Sequence, residues 1–347
     1  MRRLKIFDAT LRDGSHAINH QLTKEQIRDY CLAIDEAGMD AVIVGHGNGL
    51  GASSLQVGIS LLTDHEMLST ARKYLKRTNL GTYMIPGFGT IKDQLIPAIE
   101  DGVDIFKIGC HCTEADTTKA HIEYLARNKK EVYGILMMYH MASSEKILEE
   151  SRKMESYGAK GVILMDSAGA STIEMVKRTV ALLCENLEIR VGFHSHNNLG
   201  IAVANMYVAI KEGASIADGT LAGFGAGAGN CQLEALIALL QKCDIRTNAN
   251  LYKMLDCVDN VMPAIMKKNA SPDPISIVSG QAGVFSAFKA HVIHAAKVFD
   301  VDPRDIFMEV GKRKAVGGQE DIIVEVAQEL KYKKAKHKED YQIEALL

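Results

Sequence analysis

The chain has 347 residues, 47% of them hydrophobic and 24% charged, with six prolines and a formal net charge of -3. That composition suits an ordinary globular protein too long for one compact core, so a large domain of roughly 250 residues plus a smaller appendage, or a fused pair, is expected. The charge balance offers no basic stripe for a phosphate backbone, no run reaches the roughly 18 apolar residues of a spanning helix, and Met1-Arg2-Arg3 leads directly into a strand-like segment, so neither nucleic acid nor a membrane is an expected partner.

In chain order, β-branched runs alternate with helix-period stretches over the first two-thirds. The expected strands are Leu4–Ala9, Ala41–Gly45, Leu80–Ile85, Ile105–Gly109, Val132–Met137, Gly161–Met165, Arg190–Phe193 and Ser215–Ala217. Between them lie segments such as Thr23–Ala37, Asp64–Lys76, Ser144–Tyr157, Thr172–Glu185 and Ala202–Glu212, with apolar residues at three-to-four spacing. Several stop at a glycine just past the last turn, as at Gly38, Gly158 and Gly213.

Eight β-then-α units in a row fit either a parallel barrel or a doubly wound open sheet. The polar residues favour the barrel. Arg12, Asp13, His46, Asn48, His111, His140, Asp166, Ser167, His194 and His196 cluster at the C-terminal ends of the expected strands. A barrel brings those ends to one mouth, where active sites of this fold sit, whereas an open sheet spreads them along an edge. The expected architecture is α/β, a (β/α)8 TIM barrel with a small C-terminal helical domain.

The final third has no strand repeat. Leu251–Lys268, Ala282–Val298, Pro303–Val310 and Asp321–Leu330 read as helices, and Asn269–Ser279 as a proline-bearing connector. A barrel domain over residues 1–268 and a helical domain over residues 269–347 are the expected units. The charge-dense stretch from Lys331 to Asp340 reads as a solvated or frayed helix end.

His194-Ser195-His196 closes the seventh strand-like run, and Asp13 follows the first. Successive strand side chains point to opposite faces, so the two imidazoles project the same way and can grip one ion, with Asp13 supplying a carboxylate. These three residues read as a metal site and make the chain a metal-dependent enzyme. On its own the two-histidine, one-carboxylate set points equally to a non-haem iron oxygenase, which normally uses an antiparallel fold. Cys110-His111-Cys112 lacks the spacing and the second pair of a zinc site and reads as thiols packed at a strand end. The seven cysteines, an odd number in so long a chain, suggest a reducing cytoplasm. The glycine-rich run from Leu221 to Asn230 lacks the lysine of a P-loop, so it reads as a close-packed turn at the barrel mouth rather than a phosphate cradle.

Five segments carry a family resemblance: Thr10-Leu11-Arg12-Asp13-Gly14-Ser15-His16-Ala17-Ile18, His111-Cys112-Thr113-Glu114-Ala115-Asp116, Met154-Glu155-Ser156-Tyr157-Gly158-Ala159, the run Ala222 to Asn230, and Val316-Gly317-Gly318-Gln319-Glu320-Asp321. From about residue 4 to about residue 330 the chain resembles the 4-hydroxy-2-oxovalerate aldolases. These belong to the metal-dependent TIM-barrel superfamily that includes pyruvate aldolases, 3-hydroxy-3-methylglutaryl-CoA lyases and isopropylmalate synthases. The Asp13-type carboxylate and the H-x-H pair are common to that whole group, whereas the first, second and fifth segments are specific to the aldolase branch.

The resemblance implies retro-aldol cleavage of a 4-hydroxy-2-oxoacid to pyruvate and an aldehyde, in aromatic hydrocarbon catabolism, with Mn2+ as the usual ion. It implies Asp13, His194 and His196 as metal ligands, with His194 also on the substrate side. Arg12 is implied beside the keto oxygen, His16 as the base for the C4 hydroxyl, and Ser167 as a donor to the substrate carboxylate. His20, His46, His111 and His140 are expected to make supporting hydrogen bonds. Phe285 stands where the family commonly has a tyrosine near the reacting carbon, and Tyr83 where it tends to have a leucine lining the aldehyde pocket. Both departures touch the aldehyde side, so a changed aldehyde size and C4 stereochemistry are expected. The resemblance further implies an acylating aldehyde dehydrogenase as partner, docked at the helical domain and at Gly317-Gly318. Two rival readings stand beside it: an acyl-CoA/2-oxoacid synthase of the same superfamily, and a catalytically silent subunit of a dehydrogenase complex.

Overall fold

A computed structural model describes residues 3–344, and the side chains of residues 336–344 lie outside that description. Eight strands, β1 Lys5–Asp8, β2 Ala41–Ile43, β3 Asn79–Met84, β4 Ile105–His111, β5 Glu131–Met137, β6 Gly161–Asp166, β7 Arg190–Ser195 and β8 Ile216–Gly219, form a closed parallel barrel in sequence order. Closure pairs β8 with β1, setting Asp218 beside Phe7. The strands are near-continuous apolar runs because both faces are covered. Inward-facing Phe7, Ile43, Ile105, Ile135, Ile163 and Ile216 pack with one another inside the barrel. The alternate residues face the helix ring, where Ile6, Val42, Phe106, Leu136 and Phe193 join the largest core.

The helices are α1 Lys24–Ile34, α2 Asp64–Tyr74, α3 Ile96–Glu100, α4 Lys119–Arg127, α5 Ser144–Ser156, α6 Ile173–Asn186, α7 Ala202–Lys211 and α8 Leu233–Lys242. Side chains of Thr23, Thr63, Ser143 and Thr172 accept from backbone N–H groups in the first turns of α1, α2, α5 and α6, giving these helices defined starts. Strands therefore run toward the mouth and helices return the chain to the floor, so every strand-end side chain faces one opening.

The C-terminal third holds α9 Leu251–Asn260, α10 Met262–Ile265, α11 Pro274–Ala282, α12 Lys289–Phe299, α13 Pro303–Lys312 and α14 Asp321–Glu344. Phe288, Val292, Ile306, Phe307, Val310, Ile323 and Val326 form a core separate from that of the barrel. Three expectations are corrected. The expected helix Leu251–Lys268 breaks at Val261 before Pro263 and ends at Ile265, because proline starts a new turn rather than continuing the old one. Half of the expected connector is helix α11: Pro274 opens it and the Asp273 side chain accepts from Ser276 N–H, so proline marks a first turn here. The expected helix from Ala282 begins only at Lys289, since Gly283 takes a left-handed conformation and ends α11. The charged tail from Lys331 continues α14 to Glu344, and its side chains from residue 336 lie outside the described residues.

Candidate metal centre

Asp13 opens a short 3-10 turn, Asp13–Ile18, at the mouth end of β1. His194 ends β7 with Ser195, and His196 follows it. The strand places His194 and His196 on one face, their rings 5.2 Å apart. Asp13 Oδ2 lies 3.7 Å from His194 Nε2 and 3.8 Å from His196 Nε2. One ligand atom from each of the three residues falls within 4.8 Å of the other two, and no other group of three His, Cys, Asp or Glu among the described residues does this. Both nitrogens of His194 are buried without a hydrogen-bond partner. Buried polar atoms are rarely left so, and a divalent cation satisfies this donor set.

The other carboxylate oxygen is fully used. Asp13 Oδ1 accepts from Ala226 N–H at 3.1 Å and from Asn230 Nδ2 at 3.0 Å. The glycine-rich run is thus a packed turn serving Asp13, and a Cβ at Gly225 would stand 1.9 Å from Asn230 Nδ2 and 2.8 Å from Asp13 Oδ1. Arg12 Nη1 donates to Asp13 Oδ2 at 2.7 Å and to the Gly47 carbonyl at 3.3 Å. Arg12 Nε and Nη2 are buried without a partner, and the guanidinium lies 5.0 Å over the Tyr83 ring. Those free donors mark where a ligand oxygen fits.

The electrostatics follow from burial. Burial pushes the Asp13 carboxyl up, but Arg12, His196 and His194 outweigh it and hold it well below the usual range. Burial lowers His196 to about 4, leaving a neutral imidazole. For His194 burial pulls down, yet Asp218 and Asp13 prevail and raise it.

His16 is half-buried, and its loss of solvent lowers its pKa below 6.5, leaving a neutral ring able to accept a proton. It borders a cavity of about 600 Å³ that the barrel mouth shares with Phe224, Gly227, Phe285 and Lys289. Gly47 leaves room for the ring, since a Cβ there would stand 2.4 Å from His16 Nε2. His20 lies 5.0 Å from His16 and stacks at 3.6 Å on His46, whose Nδ1 accepts from Asn48 N–H and whose Nε2 faces the Gly58 carbonyl. Both are neutral: burial lowers His46 to about 4 and His20 to about 2.

The remaining expected site residues take the following places. Ser167, fully buried after β6, accepts from Met138 N–H at 3.2 Å and keeps its own O–H to donate. Phe285 borders both the large cavity and a second of about 320 Å³, lined also by Ile85, His111, Met137 and Glu320. Tyr83 is buried, with its hydroxyl 3.0 Å from Met137 Sδ. Cys110 and Cys112 are free, buried thiols. His140 Nε2 meets the Gly283 carbonyl at 3.2 Å, and His111 Nδ1 meets Thr113 Oγ1 at 3.0 Å. Sequence reasoning missed Asn230, Lys107 and Asp218. The one available signal, and for Lys107 alone, was a charge inside an apolar strand, Ile105-Phe106-Lys107-Ile108.

Residues 3–261 match the HMGL-like family model, and residues 270–332 match that of the DmpG-like communication domain. The chain is 51% identical over 329 residues to the 4-hydroxy-2-oxovalerate aldolase of Pectobacterium atrosepticum, covering 95% of this chain and 96% of that one. It is 49% identical over 326 residues to the enzyme of the same name from Spirochaeta aurantia, covering 94% and 96%. Among solved structures, the N-terminal domain of a putative aldolase from Bacteroides vulgatus superposes with a TM-score of 0.71 at 22% identity, over 84% of this chain and 96% of that one. The carboxyl transferase domain of Rhizobium etli pyruvate carboxylase superposes with a TM-score of 0.79 at 14% identity, over 96% and 61%. These two likenesses establish a shared fold.

Proposed function

Because the chain belongs to the HMGL-like family, we propose that it is a class II, divalent-metal-dependent aldolase, a lyase that cleaves a 4-hydroxy-2-oxoacid of the 4-hydroxy-2-oxopentanoate type to pyruvate and a short aldehyde such as acetaldehyde. The observation that carries the reading is the buried convergence of Asp13, His194 and His196 at the barrel mouth, with unpartnered Arg12 donors beside it. Asp13, His194 and His196 would hold the ion, with Mn2+ as the expected occupant. A divalent cation supplies Lewis-acid stabilisation for the negative charge that develops on the pyruvate half.

The side chains have the following parts. His16 accepts the proton of the C4 hydroxyl, the C3–C4 bond breaks, C4 leaves as the aldehyde carbonyl, and the bonding pair becomes the enolate of pyruvate. The enolate then takes a proton at C3. Arg12 aims Nε and Nη2 at the developing oxyanion from a dry, fixed position, where such donors are worth most. Ser167 donates its hydroxyl hydrogen to the substrate carboxylate. Phe285 and Tyr83 shape the aldehyde side, and with no hydroxyl at position 285 the constraint on aldehyde size and C4 configuration is altered.

The reading includes a barrel unit ending near residue 268 and a helical unit from residue 269. The second coincides with the communication-domain match and would dock an acylating aldehyde dehydrogenase that consumes the aldehyde. An odd number of cysteines, seven, in a chain too long to need disulfide staples supports a reducing, cytoplasmic setting. No described helix is long and apolar enough to cross a membrane.

One assay separates the rivals. Metal-loaded protein incubated with 4-hydroxy-2-oxopentanoate is expected to release pyruvate. Acetyl-CoA-dependent condensation with a 2-oxoacid would instead mark a synthase, and silence in both reactions a structural subunit.

A further inference from the structure

The barrel interior beneath His194 holds a charge pair that the reaction described above leaves unused. Lys107 of β4 and Asp218 of β8 are fully buried, and the ammonium donates to Asp218 Oδ2 across the barrel. Positions like these are ordinarily filled by branched apolar residues, as their neighbours Ile105, Ile135 and Ile216 are. Taking two charges out of water is expensive enough that a well-packed apolar pair is often at least as stable. Stability alone therefore gives a poor account of the pair.

Its surroundings give a better one. The β7–β8 register sets Asp218 directly beside His194. Asp218 Oδ1 lies 3.3 Å from His194 Nδ1, an ion-pair distance short of a well-aligned hydrogen bond, and neither atom has another hydrogen-bond partner. The Lys107 ammonium is held between that carboxylate and the face of Phe7, 5.1 Å from the ring centroid. One unbroken line of contacts thus runs from β4 through Lys107, Asp218 and His194 to Asp13.

We propose that Lys107 and Asp218 are positioning residues of the metal centre: Asp218 receives the Nδ1 hydrogen of His194, so that the Nε2 lone pair faces Asp13, and Lys107 fixes the carboxylate. An imidazole can ligate only through the nitrogen without a hydrogen, so the group opposite decides which nitrogen that is. The proposal rests on the reading of Asp13, His194 and His196 as ligands.

Mn2+ binding to the full chain, followed through the free-ion electron paramagnetic resonance signal without substrate, tests both ideas separately. Wild-type protein that binds no Mn2+ removes the metal-centre reading, and the proposal with it. If wild type binds, Asp218→Asn and the double variant Lys107→Met with Asp218→Asn are expected to bind roughly 10–100-fold more weakly, while the metal-free double variant melts close to wild type. A double variant that melts like wild type and binds within about threefold of it overturns the positioning role. A second measurement needs no variant. In Mg2+-loaded wild type carrying 15N-histidine, His194 Nδ1 is expected to bear a downfield, slowly exchanging proton, and a bare Nδ1 or a freely exchanging proton overturns the proposal.

Discussion

Asn230 donates from Nδ2 to Oδ1 of Asp13 at 3.0 Å, joining residues 217 positions apart. With Ala226 N–H on the same oxygen, it leaves Oδ2 as the atom turned toward the imidazoles. Asn230→Ala is expected to weaken metal binding by roughly tenfold and to cost about 1.5–3 kcal/mol of stability, the range for a hydrogen bond to a charged group. Metal titration and thermal melting check both numbers. Unchanged affinity would mean that the Ala226 N–H alone aims the carboxylate.

Arg12 combines a 2.7 Å contact to Asp13 with two unpartnered donors. Arg12→Lys keeps the charge but loses the fork, so kcat is expected to fall by roughly 10²–10³, the effect of removing an oxyanion donor, with a smaller change in Mn2+ affinity. Steady-state kinetics beside direct metal titration separates the two. A fall in affinity as large as the fall in kcat would assign Arg12 to holding Asp13 rather than to the reaction.

His16 titrates below 6.5 because its half-buried ring is poorly solvated. The neutral, basic form therefore predominates at neutral pH, and activity is expected to fall only as pH drops through this lowered value. His16→Ala should lower kcat by roughly 10²–10⁴ and flatten that acid limb. A pH–rate profile of the variant that keeps the limb would assign it to another group.

Between Arg12 and Met137, the Tyr83 side chain fills space next to the smaller cavity, which Met137, Ile85 and Phe285 line. Tyr83→Leu is expected to shift the kcat/KM ratio for a longer aldehyde over acetaldehyde, in the condensation direction, by roughly tenfold toward the longer one, the usual worth of pocket space for a methylene or more. An unmoved ratio would place the aldehyde elsewhere.

Much of this was legible in the sequence for local reasons. The eight strands announce themselves as apolar runs, and strand alternation alone predicts that His194 and His196 share a face. The ends of elements were less legible. Pro274 reads as a breaker from composition but occupies a first helical turn, where its missing N–H is harmless. The expected strand Ser215–Ala217 stopped one residue short of Asp218, which belongs to β8. Lys107 and Asp218 stayed hidden because their partnership spans 111 positions and depends on barrel closure, a long-range fact that no local period encodes. Asn230 was hidden for the same reason, at the end of a run that glycine dominates.

The most direct test of the central claim is pyruvate release from 4-hydroxy-2-oxopentanoate by protein stripped with a chelator and then resupplied with Mn2+. Loss of turnover on stripping, with recovery on adding the ion to wild type but not to Asp13→Asn, is the expected result. Stripped protein that works at the full rate would contradict the account.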